Sequence, residues 1–501
     1  MDLIQQWRLS HPLDLAIITP RQSYTWQQLD EQIDSLVSLL KAQGVTKESV
    51  IALVGKNHIN GVLLYLASLR LGALCALMPP QPKVAIAQKL DIIDADFLWL
   101  SDEVSSLNAQ DFQVSSLSLD PFLNTDSVES LDSLDRVESR GYQRSITSLS
   151  HQETLHQESL QREPFHREQL ASIVFTSGST GTPKAVVHAV KHHIASAEGL
   201  LAKFRFEQAD TWLLSLPIYH VSGLSIIWRW MVKGARLMVG EGHLSAEIQQ
   251  VTHASLVPLQ LQRLLESKQA LPLKRVLLGG SHIPMPLIEQ AKQRGIDCWV
   301  GYGMTEMAST VIAKPVDESP TAGWLLPQRK IKLDQGRIYV AGDTLAAGYL
   351  LKGQLTPLVT QQQPWFDTKD LGHSYQQIGK PEEFVIIGRA DNQFISGGEN
   401  IHCEEIEAVL NRHPSIKQAL VIAVDDKQYG KRPVAFVDLE GEIDRDSEMP
   451  LDAQAYQHFL ERYLEKFKCP DAYYLLPASL LSTGIKISRA ELVQYYQQYH
   501  A

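Results

Sequence analysis

The sequence predicts an α/β protein with a large N-terminal domain of layered sheets and helices and a small α+β domain at its C-terminal end. Three observations carry that expectation. The chain has 501 residues, too many for one ordinary core at roughly 100–200 residues per domain. Short apolar strands alternate with helical stripes over the first hundred residues, the pattern of a mostly parallel sheet with crossover helices. After Arg389-Ala390-Asp391 a compact strand-and-helix pattern starts afresh. The expected division is therefore 1–389, a boundary at 390–391, and 392–501.

The elements follow from local chemistry. Thr25 can cap a helix, with Gln28 in capping-box position and Leu29, Ile33, Leu36, Leu39 and Leu40 as its apolar stripe. Ser49–Val54 reads as a strand and Leu63–Arg70 as the next helix. The apolar run from Gly61 to Met78 is broken by Ser68 and Arg70 and bounded by Pro79-Pro80, which predicts a buried helix and strand instead of a membrane span. From Ser101 to about Gln169 the chain turns rich in Ser, Asp, Glu and Gln, with no lysine between Lys89 and Lys184. A polar, partly mobile insertion is expected there. Its His151, His156 and His166 have spacings that fit no usual metal-ligand pattern. Packed pattern resumes at Ser172-Ile-Val-Phe175. In the last domain the reading is a helix at 404–411, strands at 418–424 and 432–438, and helices at 451–467 and 490–495.

Composition narrows the function. With 46 Lys and Arg against 57 Asp and Glu the net charge is −11, so neither nucleic acid nor an anionic membrane is an expected partner. Cys75, Cys298, Cys403 and Cys469 stand far apart without a Cys-x-x-Cys pair. That excludes a disulfide scaffold or cysteine zinc site and suits a cytoplasmic setting. No signal peptide is readable in Met1–Ser10. Homo-oligomerisation is left open.

The strongest chemical signal is Thr176-Ser177-Gly178-Ser179-Thr180-Gly181-Thr182-Pro183-Lys184, directly after an apolar strand. Its hydroxyls, glycine amides and terminal lysine can wrap phosphate oxygens. The spacing is not that of a Walker A loop, and Ala185 stands where a magnesium-binding hydroxyl would be.

This segment resembles the signature loop of the adenylate-forming acyl-CoA synthetase superfamily, and the resemblance continues in order along the chain. It implies that superfamily's fold, with a mobile C-terminal lid. The segment from Leu214 through Pro217 to His220 is similar to the part contributing an acyl-pocket wall and gate. Gly279-Gly280-Ser281 resembles the turn against adenine. In Gly301-Tyr302-Gly303-Met304-Thr305-Glu306 the resemblance assigns Thr305 to phosphate and Glu306 to Mg²⁺. It implies ribose contacts for Asp370 and Arg389, a hinge at Asp391, a pantetheine-lining loop at Ser396-Gly397-Gly398, and a catalytic lysine at Lys486. The common pattern puts that lysine directly after glycine; here Ile485 intervenes.

The implied chemistry is physically coherent. A carboxylate attacking the α-phosphorus of ATP joins two anions, so cations and oriented donors must stand where charge builds up. Thr180, Lys184, Thr305, Mg²⁺ on Glu306, and Lys486 would supply them. The stretches around Ser215–Gly223, Trp228-Arg229-Trp230, Thr252–Pro258 and Gly303–Thr310 resemble the branch acting on o-succinylbenzoate in menaquinone biosynthesis. That branch implies o-succinylbenzoate, ATP and CoA as small-molecule substrates, with Mg²⁺ as metal and no tightly bound prosthetic group. The carboxylate that does not react needs a partner, for which Arg229 and Arg236 are candidates, with Ser255, Ser309 and Thr310 as hydrogen-bonding groups. An acyl-CoA ligase for another acid, an enzyme loading a carrier protein, and a non-catalytic nucleotide binder remain alternatives at this level.

Overall fold

The computed structural model describes residues 2–104, 107–119, 167–176, 183–267, 269–279, 283–376, 379–396, 399–439, 451–481, 487 and 489–500. Two compact units separate: Met1–Val190 with Tyr349–Leu355, and Lys191–Gly348 with Thr356–Ala501. The boundary expected at 389–391 lies inside the second.

In the first unit the sheet runs from Gln354–Thr356 through Gly348–Leu351, Lys184–Ala189, Leu170–Thr176, Leu74–Met78, Val50–Val54 and Phe97–Leu100 to Ser115–Ser116. From Leu170–Thr176 onward neighbouring strands are parallel. Thr25 caps the helix Trp26–Ala42 through the expected box with Gln28. The helix Ile59–Leu71 buries every residue from Gly61 to Leu69, which is why its sequence is apolar all round. Ser68 satisfies its hydroxyl on the Leu64 carbonyl, 2.7 Å away. Among the described residues no helix is long and apolar enough to cross a membrane.

The described beginning of the polar segment is packed. Short 3₁₀ turns at Asp102–Val104 and Ala109–Phe112 lead to the strand Ser115–Ser116, and Val104, Ala109, Leu117 and Leu119 are buried. Apolar residues spaced by polar ones escape a composition count but still reach a core. His151, His156 and His166 lie outside the described residues.

The second unit's large sheet changes character halfway. Arg236–Met238, Thr211–Leu213, His253–Leu256, Arg275–Leu278 and Asp297–Met304 are parallel. Asp297–Met304 then meets Ser309–Pro315 antiparallel, and antiparallel pairing continues through Gly323–Leu325, Glu383–Arg389, Phe366–Tyr375, Arg337–Gly342 and Arg329–Asp334.

Residues beyond about 392 build a core of their own. Ile416–Asp426, Gly430–Leu439 and Ala472–Leu475 form a three-stranded sheet. Phe394, Ile401, Ile406, Leu410, Val421, Val437 and Tyr473 pack as one cluster. The helix expected at 451–467 is shorter: it spans Ala453–Leu460, capped by Asp452, and a 3₁₀ turn follows at Lys466–Lys468. A turn after Leu460 brings Leu464 and Cys469 into the core, so the apolar spacing outlasts the helix. All four cysteines are buried and free.

Candidate active site

The phosphate-loop candidate joins two antiparallel strands, with Thr176 directly opposite Lys184. Lys184 opens the returning strand, and its ammonium lies 5.2 Å from the ring centre of Tyr349 on a neighbouring strand. Ser177, Gly178, Ser179, Thr180 and Gly181 lie outside the described residues.

In the second unit, the parallel strands put the sequence motifs along one edge. Register pairs Leu256 with Leu278 and Leu278 with Val300, so Ser255 and Gly279 stand at their strands' carboxyl ends and Gly301 just past the last parallel pairing. Ligand crevices of open α/β sheets form outside such ends. Gly280 and Ser281 lie outside the described residues.

The two glycines of Gly301-Tyr302-Gly303 have a steric reason. A Cβ on Gly303 would stand 2.0 Å from the Ser309 carbonyl oxygen, and one on Gly301 would meet the Thr310 methyl at 2.9 Å. Their absence lets the returning strand close tightly against this one. Between the strands Thr305–Met307 forms a 3₁₀ turn, followed by Ala308 at φ 52° and Ser309 at φ 110°. Two consecutive non-glycine residues in left-handed space cost about 1–3 kcal/mol each, a strain typical of functional corners. The Glu306 carbonyl accepts from the Ala346 amide at 2.8 Å.

Asp370 and Arg389 face each other in register on adjacent strands. Asp370 is buried, takes the Tyr302 hydroxyl at 2.5 Å on Oδ2 and lies 3.5 Å from Nη1 of Arg389 on Oδ1. The Thr368 hydroxyl accepts from the Asp370 amide and donates to the Ile338 carbonyl. Arg389 also grips Asp391 with Nε and Nη2, both at 2.9 Å. That pair raises the guanidinium's pKa and holds the Asp391 carboxyl below its usual range. Burial, reinforced by Asp370, keeps the Tyr302 phenol protonated well above its ordinary pKa.

His220 is exposed at the N-terminal end of the helix Val221–Lys233. A Cβ on Gly223 would meet the Pro217 carbonyl at 2.1 Å, so that glycine permits the tight turn from Pro217 into the helix. On the same helix Arg229 is only 1% exposed. It donates to the hydroxyls of Ser309 at 3.3 Å and Thr310 at 3.4 Å, while its Nε has no partner among the described residues. Its guanidinium lies over Trp212 at 5.4 Å. Among the described residues no carboxylate pairs with it, and burial together with Arg329 pushes its pKa down to about 9. The buried hydroxyl of Ser255 also has no partner among the described residues. Arg236 instead spends its guanidinium on the Ala209 carbonyl. Of the two candidates, Arg229 is the cation brought beside Ser309 and Thr310.

Farther along, Ser396 is buried with its hydroxyl 3.4 Å from Arg432. Gly397, Gly398 and Lys486 lie outside the described residues, but Arg489 is anchored. It holds both oxygens of Glu407 at 2.7 Å and reaches Glu404 at 3.1 Å.

Residues 4–350 match the AMP-binding enzyme family, and residues 405–484 match the AMP-binding enzyme C-terminal domain. The chain belongs to the AMP-binding enzymes. Within this family it is 39% identical to a 2-succinylbenzoate–CoA ligase of Haemophilus influenzae, over 94% of this chain and 92% of the relative. It is 35% identical to the Escherichia coli 2-succinylbenzoate–CoA ligase, over 99% of this chain and 98% of the relative. Among solved AMP-binding enzymes, an E. coli MenE variant with bound OSB-AMS superposes with a TM-score of 0.81 at 33% identity, covering 99% and 98% of the two chains. The expected superfamily and fold are thereby established.

Sequence reading passed over three residues that contact these candidates. Thr368 sits two positions before Asp370, Tyr349 lies beside Lys184, and Arg329 reaches Thr310. The first was within reach, because Thr-x-Asp places a hydroxyl beside the Asp amide. The other two come from distant strands and left no local signal.

Proposed function

We propose that this chain is an AMP-forming acid–thiol ligase that joins 2-succinylbenzoate to CoA, a step of menaquinone biosynthesis. The observation that carries the reading is Arg229: a buried guanidinium whose partners among the described residues are neutral, with one idle N–H. A buried charge without a counter-ion is costly, and the non-reacting ring carboxylate of 2-succinylbenzoate is an anion suited to a planar fork. The full-length relatives bearing that name support the same substrate.

In the first half-reaction the succinyl carboxylate attacks the α-phosphorus of ATP, forming an acyl adenylate as pyrophosphate leaves. Asp370 accepts from the ribose hydroxyls, steadied by Tyr302 and by Thr368. Lys184, Thr180, Thr305 and Lys486 stabilise negative charge at the phosphates. Bound Mg²⁺ would supply charge neutralisation there. Glu306 would be its protein ligand, as Mg²⁺ needs few of them. In the second half-reaction the CoA thiolate attacks the acyl carbon and AMP leaves. The reading assigns 392–501 as a lid turning about Asp391, which withdraws Lys486 and presents Ser396-Gly397-Gly398 to the pantetheine. ATP and CoA as substrates, with four buried thiols, suit a cytoplasmic setting.

The test is release of AMP and pyrophosphate from ATP, Mg²⁺ and CoA with 2-succinylbenzoate, beside benzoate, a medium-chain fatty acid and acetate. The expected result is turnover with 2-succinylbenzoate alone and its CoA thioester in the mass spectrum. Turnover with a different acid would overturn the substrate, and absence of turnover despite ATP binding would overturn the reaction.

A further inference from the structure

A second buried arginine stands behind the acyl-pocket candidates. Arg329 opens the strand Arg329–Asp334 and is 5% exposed. Its fork is fully used. Nε donates to the Thr310 carbonyl at 3.0 Å; Nη1 to the carbonyls of Ala195 at 3.2 Å and Pro327 at 2.7 Å; Nη2 to the carbonyl of Ser196 at 2.9 Å and to its hydroxyl at 3.2 Å. A guanidinium carries five N–H groups, and here each has a neutral acceptor. Among the described residues it pairs with no carboxylate. Burial holds its pKa down to about 9. The room is made for it: a Cβ on Gly199 would lie 1.8 Å from Nη1.

The acceptors identify what the fork does. Ser196, held by Nη2, passes its hydroxyl to the Ala308 carbonyl at 2.6 Å. Arg329 and Ser196 thus grip both sides of the strained pair Ala308-Ser309, one at Thr310 and the other at Ala308. That corner follows Thr305-Glu306 with only Met307 between, and Ser309 with the next residue, Thr310, carries the two hydroxyls that receive Arg229. A corner in sparsely populated backbone space keeps its geometry only while its surroundings over-determine it. A lysine could carry the charge but not five divergent bonds.

We infer that Arg329, acting through Ser196 and the Ala308-Ser309 corner, is a positioning residue that sets where Arg229 meets the substrate's non-reacting carboxylate. It rests on the 2-succinylbenzoate reading given above. It differs from a general packing role, because a loosened corner misplaces the acyl anion site while Asp370 and Tyr302, on other strands, still hold nucleotide.

The experiment measures steady-state kinetics of the full chain and its R329K and S196A variants. Substrates are 2-succinylbenzoate and 4-oxo-4-phenylbutanoate, the same acid without the ring carboxylate. Wild-type turnover of 2-succinylbenzoate tests the functional reading by itself; if it is absent, that reading fails and the variants are compared on whichever acid the wild type does use. For R329K the expected result is a KM for 2-succinylbenzoate raised about tenfold, with the KM for ATP within about twofold of wild type. S196A keeps the charge and removes one hydroxyl, so it should show the same split at about threefold. Both increases should shrink with 4-oxo-4-phenylbutanoate. Equal rises in both KM values, an undiminished effect on the monocarboxylate, or wild-type kinetics in both variants would overturn the inference. S196A keeps the question answerable if R329K does not fold.

Discussion

Arg389 clasps Asp391 in a two-point ion pair, two residues away along the chain, while its third nitrogen lies 3.5 Å from Asp370. One guanidinium therefore joins the proposed ribose-binding carboxylate to the proposed hinge. Removing the clasp with Asp391→Ala should disturb the hinge more than the nucleotide pocket. The pair is partly exposed, so about 1 kcal/mol or less is at stake. Rapid-quench measurement should show CoA-dependent thioester formation slowed roughly fivefold by that loss, with ATP–pyrophosphate exchange close to wild type. Equal slowing of both steps would remove the hinge role.

The Tyr302–Asp370 bond gives a separate handle on nucleotide binding. Tyr302→Phe deletes a donor to a buried carboxylate, an interaction of about 1.5–3 kcal/mol. Calorimetric titration with AMP should show affinity reduced at least about tenfold. The KM for 2-succinylbenzoate should change far less, since the phenol faces Asp370 and not the acyl candidates.

Arg229 makes a pH prediction. Its folded pKa, lowered to about 9 by burial and by Arg329, lies well below that of an unfolded arginine. Between those values the unfolded chain binds more protons, so this group's contribution to stability rises with pH there. Its capacity to hold an anion moves the other way and is lost as pH rises through about 9. The KM for 2-succinylbenzoate should therefore climb above that pH, whereas that for 4-oxo-4-phenylbutanoate stays flat. Parallel profiles for the two acids would show that Arg229 does not receive the ring carboxylate.

The glycines separate folding from chemistry. Gly303→Ala drives a Cβ into the Ser309 carbonyl at 2.0 Å, backbone that cannot swing aside, while among the described residues nothing lies within 4 Å of a Cβ on Gly279. Thermal unfolding should show Gly303→Ala strongly destabilised and Gly279→Ala close to wild type. Any defect in Gly279→Ala would then appear in nucleotide affinity.

What was legible in the sequence follows the range of the interactions. The capping box at Thr25 and the strand-and-helix alternation are set by neighbours a few residues apart, and they stand where expected. The motif residues were found because chemistry restricts residue type within one short run, as in Tyr302 to Glu306. The Arg329 fork escaped because its acceptors at 195, 196, 310 and 327 come from several elements, and no local pattern announces such a convergence. Arg229 was ambiguous for a related reason. Between two tryptophans it reads more readily as a surface cation stacked on indole than as a substrate ligand; the structure stacks it on distant Trp212, and buries it.

Lys486 supplies the sharpest division between the half-reactions. Arg489, three residues on, is fixed by Glu407 and Glu404. In the proposed mechanism Lys486 contacts the carboxylate and bridging oxygen only while the adenylate forms. Lys486→Ala should lower adenylation, read as ATP–pyrophosphate exchange, by about 10²-fold or more, the scale for losing one charge-stabilising group. Thioester formation from chemically prepared acyl adenylate should fall by less than about threefold, because the lid presents a different face in that step. Breaking the anchor with Glu407→Gln should reproduce the same asymmetry in weaker form. Comparable loss in both half-reactions for Lys486→Ala would mean that the lysine acts throughout, and that the lid does not exchange it for the glycine loop.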